Sequence, residues 1–292
     1  MLFSLVSLII WDVSPEIFTV KFFAISFPLT WYSLFFALSF VLGQQLMLYI
    51  FRREGRTDAD VELLTVYVAI GTVTGARLGH FLFYEWELLL VQPWHWLATL
   101  VKPPFRGLAS HGAAVGILLS LYLYSRRKPD QSFLWVVDRA AVAVSLSALI
   151  RVGNLFNSEI YGKPTSLPWG FLFVRETDPA LLPVVPRHPT QLYEAFFCLF
   201  LLGLTFYLWK HKRQELPVGL IAGGFMMLLF SFRFLVEFLK NDQADFEGGM
   251  DVNMGQLLSI PAIMVGMIML LVARRRATNA AFHSKNPITD AR

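Results

Sequence analysis

The chain has 292 residues, 55% of them hydrophobic and only 16% charged, with a mean hydropathy of +0.54. Soluble domains carry about 25% charged residues, so the composition excludes an ordinary cytosolic enzyme, a disordered chain and a fibrous repeat. One Cys excludes an internal disulfide and a Cys-rich metal site, and the small net charge of +4 gives no reason to expect a nucleic-acid partner.

The aromatic content, 27 Phe, eight Trp and nine Tyr, suits a bilayer, where amphipathic rings gather at the interfaces. A spanning helix needs about 20 mostly apolar residues. Leu2–Trp11 is apolar but too short, and no Lys or Arg precedes it and no small-x-small cleavage site follows. It reads as an interfacial helix rather than a secretory signal peptide. Residues 1–24 are therefore taken as an outer or interfacial segment. Seven spans follow, at Ile25–Phe51, Leu63–Tyr84, Leu108–Tyr124, Phe133–Leu155, Gln191–Trp209, Val218–Leu239 and Met254–Ala273. The expected fold is an all-α integral membrane protein whose seven-helix domain occupies residues 25–273. Its fourth and fifth spans are joined by Ser158–Pro189, which holds six of the fifteen prolines and reads as a small loop-rich outer head. Residues 274–292 read as a disordered cytoplasmic tail.

The connecting segments alternate in charge. Those after spans one, three, five and seven carry fourteen Lys and Arg, from Arg52, Arg53 and Arg56 to Arg274, Arg275 and Arg276 and the tail. The opposite side carries seven: Lys21, Lys102, Arg106, Lys163, Arg175, Arg187 and Lys240. The positive-inside rule then puts the N-terminus outside and the C-terminus in the cytoplasm.

Four arginines remain inside spans: Arg77, Arg139, Arg151 and Arg233. An Arg at the bilayer centre costs about 2.5–3.5 kcal/mol on insertion scales. Arg139 beside Asp138 reads as a local ion pair that snorkels. The other three lie toward the outer ends of separate spans. Arg77 and His80 are i and i+3, with Tyr84 a turn further on. Arg151, Asn154 and Asn157 step by three along one stripe, which belongs in the protein interior because unpaired amides are costly in lipid. Glu159 and Gly162 follow as that helix ends. Arg233 and Glu237 are i and i+4 on one face, a structural ion pair or a brace that aims the guanidinium at a ligand.

His111 lies in Ala109-Ser110-His111-Gly112-Ala113-Ala114-Val115-Gly116, among small residues that allow close approach. A His there is a polar interfacial tip or a catalyst. At the mouth of span five, Pro186-Arg187-His188-Pro189-Thr190-Gln191-Leu192-Tyr193-Glu194 adds polar groups, with Gln191 and Glu194 on one face and Thr190 a candidate helix cap. Cys198 reads as apolar packing. No spacing suggests a metal site, a phosphate-cradling Gly loop or a G-x-S-x-G elbow. Guanidinium forks suit phosphate oxygens, so the residues alone point to an anionic, membrane-resident ligand bound near the outer face.

These segments resemble the prolipoprotein diacylglyceryl transferase family. Arg151-Val152-Gly153-Asn154-Leu155-Phe156-Asn157-Ser158-Glu159-Ile160-Tyr161-Gly162 is similar to its signature R-x-G-N-x-x-N-x-E-x-x-G. Ser110-His111-Gly112 resembles its His-Gly-Gly segment, Arg187–Glu194 resembles R-H-P-[ST]-Q-L-Y-E, and Arg233–Phe238 resembles R-F-x-[VI]-E-[FL]. Gly75-Ala76-Arg77-Leu78-Gly79 resembles G-[AG]-R-L-G, and Trp31-Tyr32 resembles the W-Y of span one. The matches fall in the expected order from about residue 25 to 273. Two positions depart: Ala113 stands where the second Gly after His is usual, and Ile150 where Gly precedes the Arg.

The resemblance implies transfer of sn-1,2-diacylglycerol from phosphatidylglycerol to the lipobox Cys thiol of a prolipoprotein signal peptide, forming a thioether and releasing glycerol phosphate. It implies no cofactor and no metal, membrane lipids and the two substrates as partners, and the bacterial cytoplasmic (inner) membrane as location. The implied roles are Arg151 and Arg233 as phosphate clamps and His111 as general base or, equally, as a head-group ligand with the thiolate formed by the arginine field. Asn154 and Asn157 become head-group donors, Glu237 a brace for Arg233, and Glu159 a brace or base. Tyr32, Arg77, Gly112, Gly162, Arg187, His188, Gln191, Tyr193 and Glu194 line the lipid or peptide site. The competing readings are a transporter or flippase for an anionic phospholipid, expected to show a midplane site, broken helices and internal repeats, and another lipid-phosphate transferase with acidic metal motifs.

Overall fold

The computed structural model describes residues 9–22, 25–101, 109–176, 181–241 and 252–285. Three strands come first: β1 (Ile9–Trp11), β2 (Glu16–Phe22) and β3 (Ile25–Thr30). Helices α1 (Trp31–Arg53), α2 (Asp58–Tyr84), α3 (Trp86–Val91), α4 (Pro93–Val101), α5 (Ser110–Arg127) and α6 (Phe133–Val144) follow. A 3-10 turn at Ser145–Ser147 leads into α7 (Ala148–Phe156). Beyond it are β4 (Phe171–Phe173), α8 (Thr190–Lys212), α9 (Leu220–Glu237) and α10 (Met254–Lys285). Among the described residues, six helices are long and apolar enough to cross a membrane: Trp31–Arg53, Asp58–Leu82, Phe133–Phe156, Thr190–Lys212, Leu220–Glu237 and Met254–Thr278. The chain is a mostly helical, multi-pass membrane protein. Helix α5, the expected third span, is not among the six. It opens on Ser110-His111-Gly112 and closes on Ser125-Arg126-Arg127, which shortens its apolar stretch.

Several boundaries differ from expectation. Span one begins at Trp31, not Ile25, because residues 25–30 pair antiparallel with β2. Pro28 explains this: it lacks an N–H for a helix and drives the residue before it into an extended conformation. The N-terminal segment is not an interfacial helix where it is described. Ile9–Trp11 is a strand running parallel to β4, and Leu2–Leu8 lie outside the described residues. β-Branched Ile9 and Ile10 suit that pairing, and Trp11 Nε1 anchors it by donating to Leu155 O at 3.0 Å. The tail is not disordered from residue 274, since α10 continues to Lys285; residues 286–292 lie outside the described residues. Span four is one helical stretch, Phe133–Phe156, that tightens to a 3-10 turn at Ser145–Ser147.

The chain forms two compact units, residues 46–137 and residues 1–45 with 138–292, with α1 and α6 running from one into the other. In the first, α2 begins with a capping box. Thr57 Oγ1 accepts from Asp60 N and Asp60 Oδ2 accepts from Thr57 N. Helices α2 and α5 pack backbone to backbone. A Cβ placed on Gly112 would stand 2.1 Å from Gly75 O, so only Gly fits there. Helices α3 and α4, unforeseen from sequence, fill the segment after α2.

In the second unit, α7, α8, α9 and α10 pack in succession. Leu155, Tyr161, Phe171 and Phe173 form a buried cluster with Trp11 and Leu192 against it. Phe197 of α8 stacks on Phe232 of α9 with centroids 4.0 Å apart. Asp138 forms the expected local ion pair with Arg139 and also caps α9 from a distance. Its Oδ2 accepts from Gly219 N at 2.6 Å and its Oδ1 from Ala222 N at 2.8 Å, while Arg139 Nη1 is 3.9 Å away. A buried carboxylate at a helix N-terminus satisfies orphan N–H groups and meets the positive end of the dipole.

Candidate active site

The site grows from the end of α7. Arg151, Asn154 and Asn157 share the predicted stripe, but the helix stops at Phe156. Ser158 and Ile160 then take positive φ values of 52° and 59°, which L-residues adopt only where surroundings impose it. This double turn brings Glu159 back under its own helix. Glu159 Oε1 accepts from Asn154 Nδ2 at 2.8 Å and from Asn157 Nδ2 at 3.2 Å, and Gln191 Nε2 donates to Glu159 O at 2.7 Å. Arg151 Nη1 donates to Asn154 Oδ1 at 3.3 Å.

Helix α8 supplies the next layer. Thr190 does not cap it; its Oγ1 donates to Ile160 O at 2.8 Å, tying the start of α8 to the strained turn. Gln191 and Glu194 share the buried face, as expected. Glu194 Oε2 lies 3.3 Å from Arg151 Nε, and its Oε1 accepts from Lys240 Nζ at 3.0 Å. Lys240 Nζ also donates to Glu237 Oε1 at 3.0 Å, and the same oxygen is 3.5 Å from Arg233 Nη2. Glu237 Oε2 accepts from Asn253 Nδ2 at 3.2 Å. Arg151, Glu194, Lys240, Glu237 and Arg233 thus form one alternating chain of charge. The side chains of Glu194, Lys240 and Glu237 are 7%, 1% and 2% exposed, against 25% for Arg151 and 27% for Arg233. An anion reaching this chain meets the two guanidinium groups, not the carboxylates behind them.

The segment between α7 and α8 holds these parts in place. Gly162 N donates to His188 O at 2.8 Å, Lys163 N to Leu239 O at 2.7 Å, and Asn241 Nδ2 to Gly162 O at 3.2 Å. A Cβ on Gly162 would stand 2.5 Å from Leu239 O, so this crossing requires glycine. Arg187 is buried, donating to Leu181 O and Asn241 Oδ1 with its guanidinium 5.5 Å from the centroid of the Tyr161 ring. Burial pulls its pKa down, partly offset by Glu176. His188 Nδ1 lies 3.2 Å from Tyr193 OH, which accepts from Trp169 Nε1 at 2.9 Å. Burial pushes the His188 imidazole below its ordinary value, so at neutral pH it is uncharged. Tyr32 packs against Gly153 and stacks on Phe36. Near the cluster, Asn157 Oδ1, Ser158 Oγ, Tyr161 OH and Gln191 Oε1 are buried without a hydrogen-bond partner among the described residues.

The remaining candidates belong to the other unit. Arg77 is buried, donating to Leu100 O at 3.1 Å and Thr99 O at 2.7 Å with Phe81 under its guanidinium. It closes the C-terminal end of α4, where carbonyls lack partners and a cation is favoured. His80 pairs with Glu85 at 3.1 Å. The backbone of His111 opens α5, but its side chain lies outside the described residues, as does that of Tyr84. Among the described residues, no three His, Cys, Asp or Glu side chains gather as a metal centre would need.

Sequence reasoning missed Lys240, counted above as an outer loop cation but found buried. Its spacing of three from Glu237 was the available signal. It also missed Asn253, whose reciprocal hydrogen bonds with Gln256 mark the start of α10.

A family model described as prolipoprotein diacylglyceryl transferase matches residues 20–272. A phosphatidylglycerol--prolipoprotein diacylglyceryl transferase from Chloroherpeton thalassium is 43% identical over 277 residues, covering 93% of this chain and 96% of that protein. Proteins of the same name from Tolumonas auensis and Porphyromonas gingivalis are each 40% identical. They cover 84% and 98% of this chain, and 91% and 98% of their own lengths.

Proposed function

The chain belongs to the prolipoprotein diacylglyceryl transferase family, and from that premise we propose that it transfers the diacylglyceryl group of phosphatidylglycerol to a prolipoprotein. The acceptor is the lipobox Cys thiol of the signal peptide. Its sulfur bonds to the glycerol carbon that carries the phosphate, the C–O bond breaks, and glycerol phosphate departs with the bonding pair. The thiol proton goes to a base. The enzyme works in the bacterial cytoplasmic membrane with its N-terminus outside, its C-terminus in the cytoplasm, α5 as a seventh span and residues 158–189 as an outer head.

One observation carries the site assignment: two guanidinium groups, each about one-quarter exposed, are held by buried carboxylates. Negative charge grows on the phosphate as the C–O bond breaks, and preorganised cations aimed at that charge stabilise the transition state. Arg151 and Arg233 fill that role, and Glu194 and Glu237 hold them. Asn154 and Asn157 each have one amide hydrogen engaged by Glu159 and a second one left for the head group. A free thiol has a pKa of about 8.5, so only a few per cent is thiolate at pH 7. His111 serves as the base, and the arginine field favours the thiolate. Tyr32, Arg77, Tyr193 and His188 contact lipid or peptide, and Arg187 and Gly162 secure the head.

Purified protein in detergent is given phosphatidylglycerol and a lipobox peptide, and the peptide is weighed by mass spectrometry. A gain of one diacylglyceryl group is expected with the native protein. A Cys→Ser peptide should gain nothing, and Arg151→Ala should lower turnover by about 100-fold or more. Full turnover by Arg151→Ala sinks the clamp; no product from folded native protein shifts the reading to a carrier of anionic lipid.

A further inference from the structure

We infer that Lys240 is a positioning residue that couples the two phosphate-binding arginines, an inference that rests on the transferase reading above. Its ammonium is 3.0 Å from Glu194 Oε1 on α8 and 3.0 Å from Glu237 Oε1 on α9. The other oxygen of Glu194 meets Arg151 of α7, and Glu237 Oε1 itself meets Arg233. Lys240 is therefore the central link between the guanidinium groups of two arginines 82 residues apart in sequence.

A cation at 2% exposure in a largely apolar unit needs a reason. Desolvating an ammonium is costly unless it is paired and hydrogen-bonded, and here it has two carboxylates. They in turn need it. The chain Arg151–Glu194–Lys240–Glu237–Arg233 alternates in sign with a cation at each end, so every carboxylate lies between two cations. Without Lys240, Glu194 and Glu237 would lack their shared counter-ion. Each would draw its arginine inward, away from the face where phosphate arrives.

The backbone holds Lys240 in this position. Gly162 and Lys240 form an antiparallel bridge, Lys163 N donates to Leu239 O, and Arg187 Nη1 donates to Asn241 Oδ1. The signature segment that carries Arg151 thus ends by gripping the residues on both sides of Lys240. On the α10 side, Asn253 holds the second oxygen of Glu237. A movement of either guanidinium is passed to the other through the four ionic contacts of this chain, with Lys240 at its centre, so the arginines act as one clamp.

The test uses the full-length enzyme in detergent, with phosphatidylglycerol and the lipobox peptide. Lys240→Met, Lys240→Gln and Lys240→Arg are each combined with Arg151→Lys and Arg233→Lys, singly and together. Lys240→Met should lower kcat/KM for phosphatidylglycerol by about 30-fold or more, as removal of one partner from a buried charge pair does, with the KM for peptide unchanged. Lys240→Arg should recover most of that loss. In the native background, the losses from Arg151→Lys and Arg233→Lys should depart from multiplying by about tenfold; in the Lys240→Met background they should multiply.

A native kcat/KM in Lys240→Met, or a coupling factor that survives it, overturns the inference. Should Lys240→Met fail to fold, Lys240→Gln, which keeps an amide donor without charge, gives the same two readouts. Absence of product from native enzyme would count against the transferase reading instead. The coupling cycle is then read from phosphatidylglycerol dissociation constants, where an unchanged factor still overturns the role of Lys240.

Discussion

At the scale of single residues, Glu159 is the position where geometry divides two chemistries. One of its oxygens accepts two Asn amides, and its own carbonyl holds Gln191. We propose that a carboxylate occupied in this way orients the stripe rather than taking a proton. Glu159→Ala should therefore lower turnover by about 10- to 100-fold, the cost of losing hydrogen bonds to a charged group. Glu159→Gln should stay within about tenfold of native, because an amide oxygen still accepts. Turnover measured on both variants decides it: if Gln is as damaging as Ala, Glu159 is a base and not a brace. Spacing along the sequence put Arg151, Asn154 and Asn157 on one stripe, with Glu159 following as the helix ends. It could not reveal that Ser158 and Ile160 enter the left-handed region to fold Glu159 back, since neither Ser nor Ile is a residue type enriched at positive φ.

At the scale of elements, the helix ends do more than stop helices. Asp138 of α6 supplies the cap that α9 lacks in its own sequence, where Gly219 has no side chain to offer. Since α9 carries both Arg233 and Glu237, this remote cap also sets their height. Asp138→Ala should destabilise the fold by about 1–3 kcal/mol, the penalty of leaving buried N–H donors unpaired. A thermal unfolding scan in detergent reads it, and an unchanged midpoint would mean that the cap is supplied elsewhere. Asn253 combines two tasks, exchanging hydrogen bonds with Gln256 at the start of α10 and holding Glu237. The Asp138–Arg139 pair looked self-sufficient from sequence because the two are adjacent. Gly219, a hydrogen-bond partner of Asp138, is 81 residues away.

At the scale of the whole molecule, the charge asymmetry of the connecting segments makes a topological prediction. Fourteen cations on one side against seven on the other direct the first to the cytoplasm. A fluorescent protein that matures only in the cytoplasm, fused after Arg292, should be bright in cells. Alkaline phosphatase, active only outside, should be active when inserted after Pro168. A dark C-terminal fusion together with an inactive insertion would reverse the orientation. Moving Lys240 from the outer loops to the interior leaves this bias intact, since the outer count falls.

What the sequence determined by itself was whatever depends on near neighbours. Continuous apolar runs required spans, and α8, α9 and α10 begin within two residues of their predicted starts. Arginines inside those runs demanded partners, and i,i+3 and i,i+4 steps put Arg151 with Asn154 and Arg233 with Glu237. Pro28 and the alternating run around it were also legible in principle, but the apolar composition outweighed them and the segment was read as helix. Only the tertiary structure decided which buried cation neutralises which carboxylate. Desolvated charges must be paired wherever the fold brings them together, and that depends on how α7, α8, α9 and α10 stack rather than on distance along the chain. Lys240 is the clearest instance: a loop lysine by its sequence, and the buried centre of the charge chain by its contacts.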